Sequence, residues 1–168
     1  MPPFYAKTRQ PDADKPNVLF LVYNGIVLLE LVGPLHVFSR ACLEGTDEVA
    51  YKTHIVSLGG GPVQPNTIVQ VDSVPLTELC DLFEGPKIDT LVIVGGNGAH
   101  EAETNKELVE HIAALADRAR RTCSVCCGAF LLAAAGLLDG RRAVTHWEDC
   151  ALLALRFPKV KVEMDPIY

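Results

Sequence analysis

Two short runs of uninterrupted apolar character organise the chain: residues 18–23 (VLFLVY) and residues 90–94 (TLVIV). Each has the length of a strand and no polar face, as expected for a strand buried on both sides. Between them the pattern changes period. Leu31, Leu35, Phe38 and Cys42 recur at helical spacing, and Gly45 closes that helix. Residues 51–58 alternate as a strand, and residues 59–62 (GGGP) read as a turn or hairpin. Residues 67–71 read as a short strand and residues 75–83 as a short helix.

After the glycine-rich loop 95–98 (GGNG), Leu108, Ile112, Leu115 and Ala119 mark one face of a helix. Residues 122–125 read as a third core strand. A tight turn at Cys126-Cys127 leads into an alanine- and leucine-rich helix that Gly136 ends. Asp139-Gly140 is a turn. A short strand (143–145), a helix (147–157) and the start of a last strand (160–163) complete the pattern. Strands alternating with helices predict a mainly parallel sheet covered on both faces. Sites in such sheets form at the carboxyl ends of strands. Three such ends stand out, at residues 23–25, 95–98 and 126–127.

The turn 126–127 carries the most chemistry. A side chain at a tight strand-to-helix turn is pushed out of the strand's packing and lies beside unpaired N–H groups of the new helix. Those donors and the helix dipole favour a thiolate and can hold an oxyanion. Cys126 is therefore expected to be reactive or ligand-facing, against the plainer reading of a buried cysteine.

Composition narrows the classes. With 15 Lys and Arg against 21 Asp and Glu, the net charge is −6, which argues against this chain itself gripping nucleic acid. Arg118, Arg120 and Arg121, the densest basic cluster, read as the solvated end of a helix. The apolar runs are too short to cross a bilayer, and the N-terminus lacks a signal-peptide core. A cytoplasmic location with reduced thiols is expected for the six cysteines. Cys123 and Cys126 form a C-x-x-C, but Cys123 lies inside the strand and a second ligand pair at zinc spacing is lacking. The loop 95–98 matches neither a dinucleotide fingerprint nor a Walker loop. No metal or cofactor is expected. Residues 1–16, punctuated by prolines, read as a flexible tail.

Four segments together carry a resemblance: 28–38 (LLELVGPLHVF), 91–96 (LVIVGG), 124–138 (SVCCGAFLLAAAGLL) and 139–147 (DGRRAVTHW). In order and spacing the chain resembles the amidotransferase-like PfpI superfamily, and most nearly the N-terminal sensor domain of AraC-type transcriptional regulators. The resemblance implies a flavodoxin-like (Rossmann-like) three-layer α/β sandwich over residues 17–168, usually dimeric, with its cysteine at a strand-to-helix elbow. By position, Cys126 matches the elbow cysteine and Glu30 the acidic residue beside it. Gly95 and Gly96 match the glycine pair whose backbone faces it, and His146 the histidine of the T-H-W segment. The expected ligand-binding set is Glu30, Gly95, Gly96, Asn97, Cys126, Cys127 and His146, with Cys126, Glu30 and His146 the catalytic candidates.

Two features depart from the family pattern, the residue after the elbow cysteine and the ending. Cys127 stands where Thr or Ser is common, and a thiol is a poor donor compared with a hydroxyl. The peptidase branch places His directly after the cysteine, and this chain does not. Sensor domains of this type also continue into a T-S-A-G strand, a helix and a helix-turn-helix region, whereas the sequence runs to Tyr168. DNA contact is thus expected through a C-terminal domain not present in this chain.

Each site residue keeps a plainer alternative. Glu30 reads either as a solvated first-turn residue or as a partly buried acid able to move a proton. His146 reads as a structural histidine or as a proton shuttle. His36, His54, His100 and His111 read as structural or surface residues. Two functions remain open: a ligand-sensing, dimerising domain of an AraC-type regulator, or a cysteine-dependent hydratase of isonitrile-hydratase type. The stretch 136–147 favours the regulator.

Overall fold

The computed structural model describes residues 15–78 and 88–164. Six strands form one sheet in the order β3-β4-β2-β1-β5-β6. These are β1 (Asn17–Leu21), β2 (Lys52–Ser57), β3 (Gly61–Val63), β4 (Val71–Pro75), β5 (Ile88–Ile93) and β6 (Ala119–Ser124). All neighbours pair in parallel except β3 with β4. The helices are α1 (Leu28–Arg40), α2 (Ala99–Ala102), α3 (Lys106–Arg118), α4 (Gly128–Ala134) and α5 (Cys150–Arg156). A 3₁₀ turn, Trp147–Asp149, precedes α5, and two short strands, β7 (Arg142–Ala143) and β8 (Lys161–Val162), pair separately. This is the mainly parallel α/β sheet that the alternation predicts, in the flavodoxin-like arrangement that the resemblance implies.

The two apolar runs are the central strands. Val18, Leu19, Phe20 and Leu21 are fully buried, as are Leu91 and Ile93, because helices cover both faces of a parallel pair. Register aligns their ends: Leu21 pairs with Ile93, and Ile93 with Ser124. The chain therefore leaves β1, β5 and β6 at the same, carboxyl end of the strands. Backbone bonds lock these exits together, Val27 N donating to Gly95 O at 2.9 Å and Val125 N to Ile93 O at 2.9 Å.

Several expectations need correction. The strand expected at 122–125 is not a core strand: β6 is the sheet's edge, and Arg120, Arg121 and Cys123 are exposed. Arg120 and Arg121 are strand residues, not a helix end. Arg120 donates two hydrogen bonds to Asp89 on β5, at 2.7 and 3.0 Å. The first helix stops at Arg40 rather than near Gly45, and Cys42 instead bridges Val49. Ala119 opens β6 rather than closing the helix before it. The strand expected at 67–71 starts at Val71, pairing with the glycine-rich segment that forms β3. The tail lies outside the described residues except for its last two. So does most of the short helix expected at 75–83.

Candidate functional site

Cys126 is the one non-glycine residue at positive φ (+50°) among the described residues. A bulky residue held there costs on the order of 1–3 kcal/mol, so the surroundings must impose it. They do so from both sides. Gly128 N donates to Val125 O at 2.9 Å across the turn, and the Thr145 hydroxyl donates to Cys126 O at 3.0 Å. The second bond brings the segment containing His146 against the turn.

Gly95 supplies the opposite wall. A Cβ there would collide with Val125 O, with the Glu30 Oε2 atom and with the amide nitrogen of Cys127. Only a residue without a side chain lets β5's exit pass this close to the elbow. Glu30, in the first turn of α1, lies in the same junction. Its Oε2 is buried and has no hydrogen-bond partner. Burial therefore pushes the Glu30 carboxyl above its usual range, while the Cys126 thiol, the Gly95 amide and His146 pull it back. The partly buried acid is the reading that the structure supports.

The two thiols divide their roles. Cys126 Sγ lies 3.7 Å from Cys127 Sγ, and the Cys127 thiol donates to Asp149 Oδ2 at 3.1 Å. The Cys127 thiol, with its backbone amide, lowers the Cys126 thiol below the free-cysteine value, against opposing burial and the Glu30 charge. Cys127 is raised by its bond to Cys126, by burial and by Asp149. Of the pair, Cys126 gives up its proton the more readily and Cys127 holds its own. Near neutral pH, Cys126 is expected to react with iodoacetamide several-fold faster than Cys42, although Cys42 is the more exposed. Peptide mass mapping over time checks this, and equal rates would contradict it.

Glu30 also makes a pH-dependent prediction. Its folded-state value exceeds the unfolded one. The stability it contributes is full below the ordinary carboxylate range and is lost as pH rises through the folded value. Glu30→Gln, which cannot ionise, should therefore gain on the parent across that window and hold its gain above it. Urea midpoints of both proteins from about pH 4 to about pH 8 read this directly. A gain that grew as pH fell would contradict a buried, raised carboxyl.

A cleft of about 880 Å³ opens beside Cys126, and its lining includes Ala129, Leu132, Val144, His146 and Trp147. Glu30 and Cys127 do not line it; the cleft reaches the pair through Cys126. His146 is placed at the cleft, its Nδ1 accepting from Glu148 N at 3.4 Å. Gly96 is buried beside Gly95, whereas the Asn97 side chain is exposed and its backbone carbonyl accepts from His100 N. A second cleft of about 530 Å³, lined by Asn24, Ser57, Pro62 and Glu101 among others, reaches neither Cys126 nor Glu30.

The DJ-1/PfpI family pattern matches residues 16–153, which takes in the elbow, the glycine pair and Glu30. The chain belongs to the DJ-1/PfpI family. It is 43% identical over 144 residues to an uncharacterised protein in the cpoL 5′ region of Streptomyces lividans, covering 84% of this chain and 95% of that one. It is 32% identical over 160 residues to the HTH-type transcriptional regulator GbdR of Pseudomonas aeruginosa, covering 93% of this chain and 41% of the regulator. Over 128 residues it is 33% identical to the isonitrile hydratase of Pseudomonas putida, covering 76% of this chain and 51% of the hydratase. Among solved structures, a ThiJ/PfpI family protein from Pseudomonas syringae superimposes with a TM-score of 0.73 at 25% identity, covering 96% of this chain and 64% of that one. The chain thus spans about two fifths of the regulator and half of the hydratase.

Within this DJ-1/PfpI domain, three residues at the site escape a reading of the sequence. Tyr23, at the end of β1, donates to Val94 O at 2.6 Å. Burial, with Cys127 and Glu30 nearby, raises its phenol and keeps it protonated. Asp149 takes the Cys127 proton bond. His100 stands with its Nε2 3.8 Å from Asp149 Oδ1, its ring edge-on to Phe130 at 4.7 Å and its Nδ1 buried without a hydrogen-bond partner. Tyr23's place at a strand end was the one signal available.

Proposed function

We propose that this chain is the ligand-sensing domain of an AraC-type transcriptional regulator, taking a small metabolite at Cys126, with Glu30, Gly95, Gly96, Cys127 and His146 around it. One observation carries this over turnover: the Cys127 thiol has a single proton, and Cys126 Sγ at 3.7 Å and Asp149 Oδ2 at 3.1 Å both draw on it. An oxyanion at Cys126 then lacks the side-chain donor that a hydroxyl would give, and loses the stabilisation that drives acyl or hydration chemistry. The alignment with GbdR across nearly the whole chain supports the same reading.

Dimerisation through α1 fits its surface. Leu29 and Val37 are 74% and 66% exposed on that helix, with Val32 partly so, an apolar face of the kind that marks an interface. Contact with DNA belongs to a separate basic domain, given the net charge of −6. Among the described residues no helix is long and apolar enough to cross a membrane, and the cytoplasm is the proposed location. In fluorescence anisotropy at physiological salt, the chain alone should leave duplex DNA unbound while sedimenting as a dimer. Sequence-specific DNA binding by this chain would overturn the assignment.

A second reading rests on the lowered Cys126 thiol beside the raised Glu30 carboxyl. That pair suits a hydratase in which Cys126 adds to an electrophilic carbon, such as an isonitrile's, and Glu30 supplies the proton. Turnover of isonitriles that disappears in both Cys126→Ala and Glu30→Gln would establish it.

A further inference from the structure

We propose that Cys126 and Cys127 together form a dithiol site that captures trivalent arsenicals. The inference does not depend on the regulator reading and holds equally for an enzyme. Its basis is the spacing of the two sulfurs. They stand 3.7 Å apart, and one atom bonded to two thiolates at about 2.3 Å, with an angle of about 95–109°, separates its sulfurs by roughly 3.4–3.8 Å. The pair is therefore pre-spaced to share a single atom.

A direct disulfide fits less well. Adjacent Cα atoms lie about 3.8 Å apart, below the span of roughly 4.4–6.8 Å that disulfides favour. The elbow also has little room to shift, with the Cys127 amide and Val125 carbonyl packed against Gly95. A divalent metal would need more ligands, and no group of three or more His, Cys, Asp or Glu among the described residues has metal-site geometry. Trivalent arsenic carrying one organic substituent needs only two sulfurs.

Access and proton flow are both built in. Cys126 lines the cleft, whose Ala129, Leu132, Val144 and Trp147 give an organic substituent an apolar wall. Cys127 is buried behind it and bonded to Asp149. The Cys126 thiolate attacks arsenic of an arsenoxide, forming the first As–S bond. The Cys127 thiol forms the second, and its proton passes by way of Asp149 to the arsenic-bound oxygen, which takes its other proton from solvent. The arsenoxide oxygen leaves as water, carrying two protons, and no oxidation state changes.

Phenylarsine oxide is the probe. Intact mass spectrometry of the full chain should show one adduct formed with loss of water. That adduct should survive a hundred-fold excess of 2-mercaptoethanol and be removed by 2,3-dimercaptopropanol. Cys126→Ser and Cys127→Ser should each weaken capture at least about 100-fold, whereas Cys123→Ser and Cys150→Ser should leave it intact. Cys127→Thr, with near-ultraviolet circular dichroism to confirm folding, guards against a Ser variant that fails to fold. An adduct stripped by the monothiol, or retained in folded Cys127→Thr, or lost in Cys123→Ser, would overturn the proposal.

Discussion

Phe130→Ala is expected to lower the unfolding free energy by about 3–5 kcal/mol. Its ring is fully buried in the first turns of α4, directly after the elbow. It packs edge-on against His100 at 4.7 Å and Phe157 at 6.3 Å, and the Arg156 guanidinium lies 5.9 Å from its centroid. These neighbours come from α2 and from the end of α5, so none can collapse into the space without leaving its own packing. The loss should extend to the site, because His100 stands next to Asp149, which holds Cys127. Urea denaturation should show a lower midpoint with an unchanged slope, and alkylation of Cys127 should accelerate. A loss below about 1 kcal/mol would contradict a ring serving as the anchor of α4.

Gly95→Ala should be nearly as damaging, for a different reason. Two of the three atoms that its Cβ would strike, Val125 O and Cys127 N, are backbone atoms of the elbow. Glu30 can swing away, but the elbow cannot without breaking the Val125–Ile93 and Gly128–Val125 bonds. A destabilisation of about 2–3 kcal/mol follows from such overpacking. The selective reactivity of Cys126 should fall towards that of Cys42. Gly33→Ala is the control. Nothing lies within 4 Å of a Cβ there, and replacing a mid-helix glycine should stabilise by up to about 1 kcal/mol. If Gly95→Ala matched Gly33→Ala in stability, the close approach of β5 to the elbow would be refuted.

What was legible in the sequence follows from how local the information is. The buried strands β1 and β5 announce themselves as unbroken apolar runs. The elbow is visible as an apolar segment meeting a small-residue helix at Cys126-Cys127-Gly128. Glu30 and Gly95 enter through resemblance rather than periodicity, and the structure then seats both at the elbow. Partnerships across the chain were not legible. Arg120 reads as a helix end until β6 places it opposite Asp89. Asp149 lies 22 residues from the thiol it accepts, and no spacing rule connects them. His100 carries no local signal, because its role comes from packing on Phe130 and approaching Asp149 only after α2, α4 and the 3₁₀ turn have docked. The polar character of β6 likewise reflects its place at the sheet's edge, a property of topology.

The most direct test of the central claim is to follow Cys126 and a ligand together. The wild-type chain is screened against small polar metabolites and isonitriles for protection of Cys126 from iodoacetamide, and each protecting compound is then recovered and weighed by mass spectrometry. A sensing domain predicts a compound that protects Cys126 at least about ten-fold, loses its effect in Glu30→Gln and returns chemically unchanged. A compound that returns hydrated, with product accumulating over many turnovers, would contradict sensing and make this site an enzyme's.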